Sequence, residues 1–371
     1  MTAGMDDSNQ PSCEEAPGNF SLCRTLGLFT GDMRLCRKWV SRQNVMIQLL
    51  DWILRGMAQV MFVNNPLSGL LITAGLFLQN PWWALNSLLG TLVSTVSAIF
   101  LGQSSPVVSS ALSTVASKWD LPIFTLPFNI LVCLHVAATG ANHPYFPQVD
   151  IQPHNHQHPR NDSTESLNIF QLFLSVPVGV GQVYGCDSPW TGGVILLGLL
   201  LSSPTICLHA MVGSAAGVLT GLALAAPLWD IYSGLWGYNS ALSCIAVGGV
   251  FYVITWQTHL LAVICALFSA YMTSATSRLM SVLALPACTW PFCLSTLIFL
   301  LVSSEIPAIC RLPLSVVSYP EESLRNRRRL KASEGVRRSQ QGSSQEEEEE
   351  KALPKENRGT DNQSVEERGS V

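Results

Sequence analysis

The sequence predicts an all-α polytopic membrane protein, built as two inverted repeats with discontinuous helices and re-entrant segments around a pore. Three observations predict it. Charge is nearly absent from the middle of the chain, one eight-residue motif occurs twice in apolar surroundings, and the segments before the two copies match each other in register. The 371 residues are 48% hydrophobic and 12% charged, about half the charge of an ordinary soluble domain. Residues 56–117 and 121–149 contain no Asp, Glu, Lys or Arg, and 166–310 hold only Asp187, Asp230, Arg278 and Glu305. Repeated apolar stretches of about 20 residues without charge read as membrane-spanning helices.

Residues 1–43 are polar and form an N-terminal segment. Arg34, Arg37, Lys38 and Arg42 crowd just ahead of the first apolar run. The first membrane repeat is placed at 44–138, a polar extracellular loop at 139–166, the second repeat at 167–310 and a disordered charged tail at 311–371. RNRRR at 325–329 follows closely on the last apolar run. Basic residues at both membrane edges put both termini in the cytoplasm. The start lacks a basic region followed by an apolar core, so no cleavable signal is read there. The loop carries the sequon Asn161-Asp162-Ser163, a glycosylation site if the loop is extracellular; a chance match is the alternative. His154, His156 and His158 could bind metal there, and a flexible polar loop is the plainer reading. Ser333 and Ser339 lie beside arginine clusters in the tail, where added phosphate could pair with Arg. The basic stretch 325–331 would serve equally against anionic lipid.

Set Gln59 against Gln182, and QVMFVNNPLSG at 59–69 matches QVYGCDSPWTG at 182–192 in Gln, Val, Pro and Gly. The same offset of 123 pairs Gly75 with Gly198, Pro81 with Pro204 and Gly90 with Gly213. LPIFTLPF at 121–128 returns as LPACTWPF at 285–292, and 285 less 121 is 164. The two offsets differ by 41, so residues 227–267 have no counterpart in the first half. Two similar halves on either side of one extracellular loop must face opposite ways, the plan of many transporters. Non-helical backbone within a membrane is tolerated where it lines a wet cavity or is buried in protein. Prolines 122, 127, 286 and 291 therefore mark two symmetry-related breaks that bring Thr125 and Thr289 to facing positions in a pore. Two proline kinks with packing threonines are the alternative.

Gln59 and Gln182 end corresponding apolar segments, and an uncharged amide that both donates and accepts suits a neutral solute. Phe62, three residues after Gln59, could stack on a flat solute or simply pack. Asp51 and Arg55 stand at i and i+4 and should pair. Asp230 could cap a short helix, and GLWG at 234–237 reads as a re-entrant turn. His209 and His259 read as core histidines. The repeated elements offer no carboxylate or histidine pair for ion coupling. No enzyme motif, cofactor site or metal site appears, the eleven cysteines are scattered rather than paired, and no nucleic-acid partner is expected.

These residues resemble the urea transporter family, over about 44–320. The resemblance rests on the doubled octet, NNPLSG, NPWWALN, SKWDLPIFTLPFN, PVGVGQVYGCDSPWTGG, DIYSGLWGYN and ITWQTHLL. It implies ten membrane helices in two inverted halves, one re-entrant segment per half and a separate pore in each protomer of a plasma-membrane homotrimer. It further implies channel-like, downhill passage of urea, with Thr125 and Thr289 at a middle site and Leu121 and Leu285 lining the pore. Gln59, Phe62 and Gln182 would stand at the flanking slots. The chain departs from the family where a first-half counterpart of DIYSGLWGYN and its following helix should stand. That loss predicts either a compensating rearrangement or a non-conducting variant that assembles with full-length relatives.

Overall fold

The computed structural model describes residues 29–100, 107–140, 167–302, 306 and 308–325. Asn161, the histidines of its loop, Ser333, Ser339 and the basic stretch from 326 onward lie outside the described residues. Thirteen α-helices precede Val302 among the described residues, a further helical run begins at Pro320, and there is no strand, only an isolated bridge between Tyr252 and Arg311. They are α1 (Arg34–Val40), α2 (Val45–Gln59), α3 (Pro66–Gln79), α4 (Pro81–Phe100), α5 (Val107–Ala116) and α6 (Leu126–Thr139). In the second half come α7 (Ile169–Gly181), α8 (Pro189–Ser202), α9 (Pro204–Ala223), α10 (Leu228–Tyr232), α11 (Tyr238–Ile245), α12 (Trp256–Val282) and α13 (Trp290–Leu301). A π-turn over Ala246–Val250 extends α11. Among the described residues Pro81–Phe100, Pro204–Ala223 and Trp256–Val282 are long and apolar enough to cross a membrane, and α7 with α8, bent by 76° at their junction, is a broken span or a re-entrant loop.

Local chemistry sets these boundaries. Pro66, Pro81, Pro189 and Pro204 open α3, α4, α8 and α9, where a missing N–H costs nothing because the first turn leaves that donor unpaired anyway. Asn65 caps α3 by accepting from Leu67 and Ser68; Ser203 caps α9 through Ile206. Thr255 and Thr258 form a reciprocal cap at the start of α12.

The helix boundaries repeat at the offsets read from the sequence. Adding 123 to the bounds of α3 and α4 gives the bounds of α8 and α9, residue for residue. Adding 164 to Leu126, the first residue of α6, gives Trp290, the first of α13. Backbone detail repeats as well. Left-handed Asp120 and Phe124 (φ 53° and 47°) return as Ala284 and Cys288 (φ 53° and 40°), and Phe62 (φ 61°) returns as Gly185 (φ 75°). Gly69 and Gly192 are mates too. A β-carbon on Gly69 would lie 1.9 Å from the Leu54 carbonyl oxygen, and one on Gly192 would lie 2.0 Å from that of Pro177. The PxxG turn therefore ends in glycine because two backbones cross there without room for a side chain.

Burial does not repeat. Only 6% of α4's apolar stretch is buried, against 61% of α9's. α9 packs on α11, which lies wholly in the segment lacking a first-half counterpart, and on α12, which begins in it. Gly217 of α9 shows how closely: a β-carbon there would stand 2.1 Å from the Trp236 carbonyl oxygen in the GLWG turn. Asp230 lies in the first turn of α10, without capping it through its side chain. The main core is built mostly from second-half residues such as Ile195, Ile206, Ile245 and Phe292.

The described residues up to Leu324 belong to one compact body. The stretch beyond 310, charged by composition, thus begins as a strap on that body. Leu312 donates to the Phe251 carbonyl at 2.8 Å, Arg311 reaches Asp120, and Glu321 accepts from Ser203 Oγ at 2.8 Å and from the Thr205 amide at 3.1 Å.

Candidate functional site

The two octets form the non-helical breaks before α6 and α13. Pro122 and Pro286 lie in the extended part, while Pro127 and Pro291 fall in the first turn of the following helix. Thr125 and Thr289 are the residues just before those helices, with φ, ψ of −93°, 14° and −102°, 20°. Neither side chain caps its own helix, so both hydroxyls are free to turn inward. They meet: Thr125 Oγ1 and Thr289 Oγ1 are 2.7 Å apart.

Two buried residues one turn further on complete the cluster. The hydroxyl of Thr289 donates to Asn129 Oδ1 at 2.8 Å, and its backbone N–H reaches the same oxygen at 3.3 Å. Thr125 Oγ1 lies 3.2 Å from Cys293 Sγ, and Asn129 Nδ2 lies 3.7 Å from that sulfur. Asn129 and Cys293 are themselves mates at offset 164, so four side chains from two symmetry-related turns close one polar knot in an apolar body. Sequence reasoning found the threonines and missed Asn129 and Cys293. The signal was PFN at 127–129 against PFC at 291–293.

Phe62 stands in an aromatic group. Its ring centroid is 6.2 Å from Phe124, 6.0 Å from Phe251 and 6.1 Å from Phe292, all edge to face. Phe124 closes on Phe292 at 4.9 Å. Leu121 packs at the margin of the same core, and Leu285 is half-buried at the second octet.

The two glutamines differ sharply. Gln182 donates to the Ser233 carbonyl at 2.7 Å. Ser233 belongs to the segment without a first-half counterpart. Gln59 is exposed and has no side-chain hydrogen bond among the described residues. The partner of Gln182 thus has no repeat mate to serve Gln59 among the described residues.

Elsewhere the expected Asp51–Arg55 pair is present, and the two histidines read as lying singly prove to be a pair. Arg55 and Asp51 bond at 2.7 Å with both side chains buried. His209 and His259 satisfy one another, Nε2 to Nδ1 at 2.9 Å with stacked rings, and His209 Nδ1 also bonds the Thr205 carbonyl at 2.8 Å.

Comparison with known proteins identifies the family. The profile of the family described as Urea transporter matches residues 50–106 and 102–304, two pieces that overlap beside the point where the two repeat offsets come to differ by 41. Urea transporter 1 of Rattus norvegicus is 48% identical over 354 positions, covering 83% of this chain and 92% of its own length. Since 83% of 371 is about 308, that alignment holds about 46 positions to which this chain contributes nothing. Urea transporter 1 of Capra hircus is 44% identical over 365 positions, covering 87% of this chain and 94% of its own. The family is one of membrane transporters rather than enzymes. The chain, with its doubled octet, broken helices and shortened first half, belongs to the urea transporter family.

Proposed function

We propose that this chain passes urea downhill and uncoupled across the plasma membrane, through a path between its two halves. The meeting of Thr125 and Thr289 at the broken ends of α6 and α13 carries this reading. Neutral hydroxyls and amides there offer hydrogen bonds to a neutral solute without binding an ion. Leu121 and Leu285 line the path, Phe62 forms one wall of a slot for a flat molecule, and Gln59 and Gln182 receive urea at its ends. Passage requires the two hydroxyls, 2.7 Å apart, to part so that urea takes over their hydrogen bonds.

Repeated helix order on either side of one loop supports opposite orientation of the halves. With it go glycosylation at Asn161, cytoplasmic termini and assembly as a homotrimer in the lipid bilayer. Arg34, Arg37 and Lys38, on the helix before α2, support the cytoplasmic side for the N-terminus.

A second reading has its own observation. The bareness of α4 beside the burial of α9, with Gln59 left exposed, favours a non-conducting variant that acts by assembling with full-length relatives. Urea flux in proteoliposomes separates the two. The purified chain is measured beside a version carrying a relative's corresponding 41 residues between Gln103 and Ser104. Flux in both, abolished by Thr289→Val, upholds the channel reading. Flux only in the extended version leaves the assembly reading.

A further inference from the structure

The four side chains at the two octets impose a direction on one another. The backbone N–H of Thr289 can only donate, so the Asn129 atom it meets at 3.3 Å must be the amide oxygen. That oxygen cannot donate, so the Thr289 hydroxyl sends its proton to it at 2.8 Å. Thr289 Oγ1 then has only lone pairs for Thr125, so at 2.7 Å Thr125 is the donor. With its own proton spent, Thr125 Oγ1 accepts from the Cys293 thiol at 3.2 Å, and the sulfur accepts from Asn129 Nδ2 at 3.7 Å. The ring closes: Asn129 to Cys293 to Thr125 to Thr289 and back to Asn129.

We infer that Asn129 is a positioning residue for transport, fixing Thr125 as the hydrogen-bond donor and Thr289 as the acceptor that a solute meets. This rests on the transport reading given above. Its consequence is a selectivity rule. A solute that replaces the direct Thr125–Thr289 bond must present a carbonyl oxygen to Thr125 and an N–H to Thr289. The edge of a planar amide does both; a ketone leaves the lone pairs of Thr289 Oγ1 without a donor and so forfeits one of the two hydrogen bonds. Asn129 has the means to hold this direction because it is fully buried and its amide ends are chemically distinct. A hydroxyl in its place could turn around.

The infrared S–H stretch of Cys293 reads the ring directly in the purified full chain, isolated as the difference from Cys293→Ala. The expected band is a single one, lowered by donation to Thr125, which moves toward the free-thiol position in Asn129→Leu. A wild-type band at the free-thiol position overturns the proposal without recourse to any Asn129 variant, and so does a band that Asn129→Leu leaves unmoved. In proteoliposomes, Asn129→Leu should lower urea permeability about tenfold, the scale of one lost buried hydrogen-bond partner. The double variant Asn129→Cys with Cys293→Asn rebuilds the ring running the other way, and permeability should return. A double variant that folds with the wild-type thermal midpoint yet stays as slow as Asn129→Leu overturns the proposal. If the wild-type chain carries no urea, the transport reading fails on its own account, and the infrared band alone decides whether the ring runs as stated.

Discussion

At the scale of single residues, the membrane interior makes every polar side chain a commitment. Arg55 and Asp51 illustrate it. Both are buried, they bond at 2.7 Å, and Arg55 Nη1 also donates to the Asp32 carbonyl at 2.9 Å. Removing one partner strands the other, which for a buried pair costs about 3–5 kcal/mol. Arg55→Gln is therefore expected to lower the thermal midpoint of the detergent-solubilised protein markedly. Arg55→Gln combined with Asp51→Asn should lower it less than Arg55→Gln alone, because no uncompensated charge remains. Equal losses from the single and double variants would mean that packing around α2, rather than charge pairing, sets the cost. The i, i+4 spacing made this pair legible in the sequence. The His209–His259 bond was not, because fifty residues separate the two and each lies alone in an apolar run. Asn129 escaped for a different reason: the octet was read as ending at Phe128, and the residue after it was not compared with its mate.

Helices repeat more faithfully here than their surroundings do. Internal repetition made the bounds of α3, α4, α8 and α9 readable as pairs, since each begins at a proline that its mate shares. What repetition could not show was burial, which depends on the neighbours that one half possesses and the other lacks. Gly213 and Gly90 are mates on α9 and α4. A β-carbon on Gly213 would lie 2.6 Å from Cys244 Cβ and 2.6 Å from the Ser240 carbonyl oxygen, whereas one on Gly90 meets nothing within 4 Å among the described residues. Gly213→Leu therefore forces α9 away from α11 and should cost at least the ~1–3 kcal/mol usual for overpacking. Gly90→Leu should be tolerated, and a leucine at that position of a helix also has better intrinsic propensity than glycine. Thermal midpoints of the two variants in the same detergent check this. Comparable losses at both sites would mean that a partner absent from the single chain covers α4.

For the molecule as a whole, the outstanding fact is that one half is built around a segment that has no counterpart in the other. In the second half, residues 227–267 supply the Ser233 carbonyl for Gln182, the Trp236 backbone beside Gly217 and Phe251 for the aromatic group. Among the described residues nothing in the first half takes those roles for Gln59 or for α4, and the body keeps its order mainly through the second-half core and the strap after Ile309. If the loss is what bares α4, then supplying a relative's 41 residues between Gln103 and Ser104 must change the consequence of a substitution elsewhere. Gly90→Leu, harmless in the present chain, should become as damaging in the extended one as Gly213→Leu, because a restored turn would pack on Gly90 as Ser240 and Ala241 pack on Gly213. The measurement is a four-way comparison of thermal midpoints, with and without the inserted segment and with and without the leucine. Non-additivity of about 1–3 kcal/mol, the range for groups in direct contact, would place the segment against α4. An additive result would mean that the inserted residues settle elsewhere, and that the two halves of this chain no longer share one architecture.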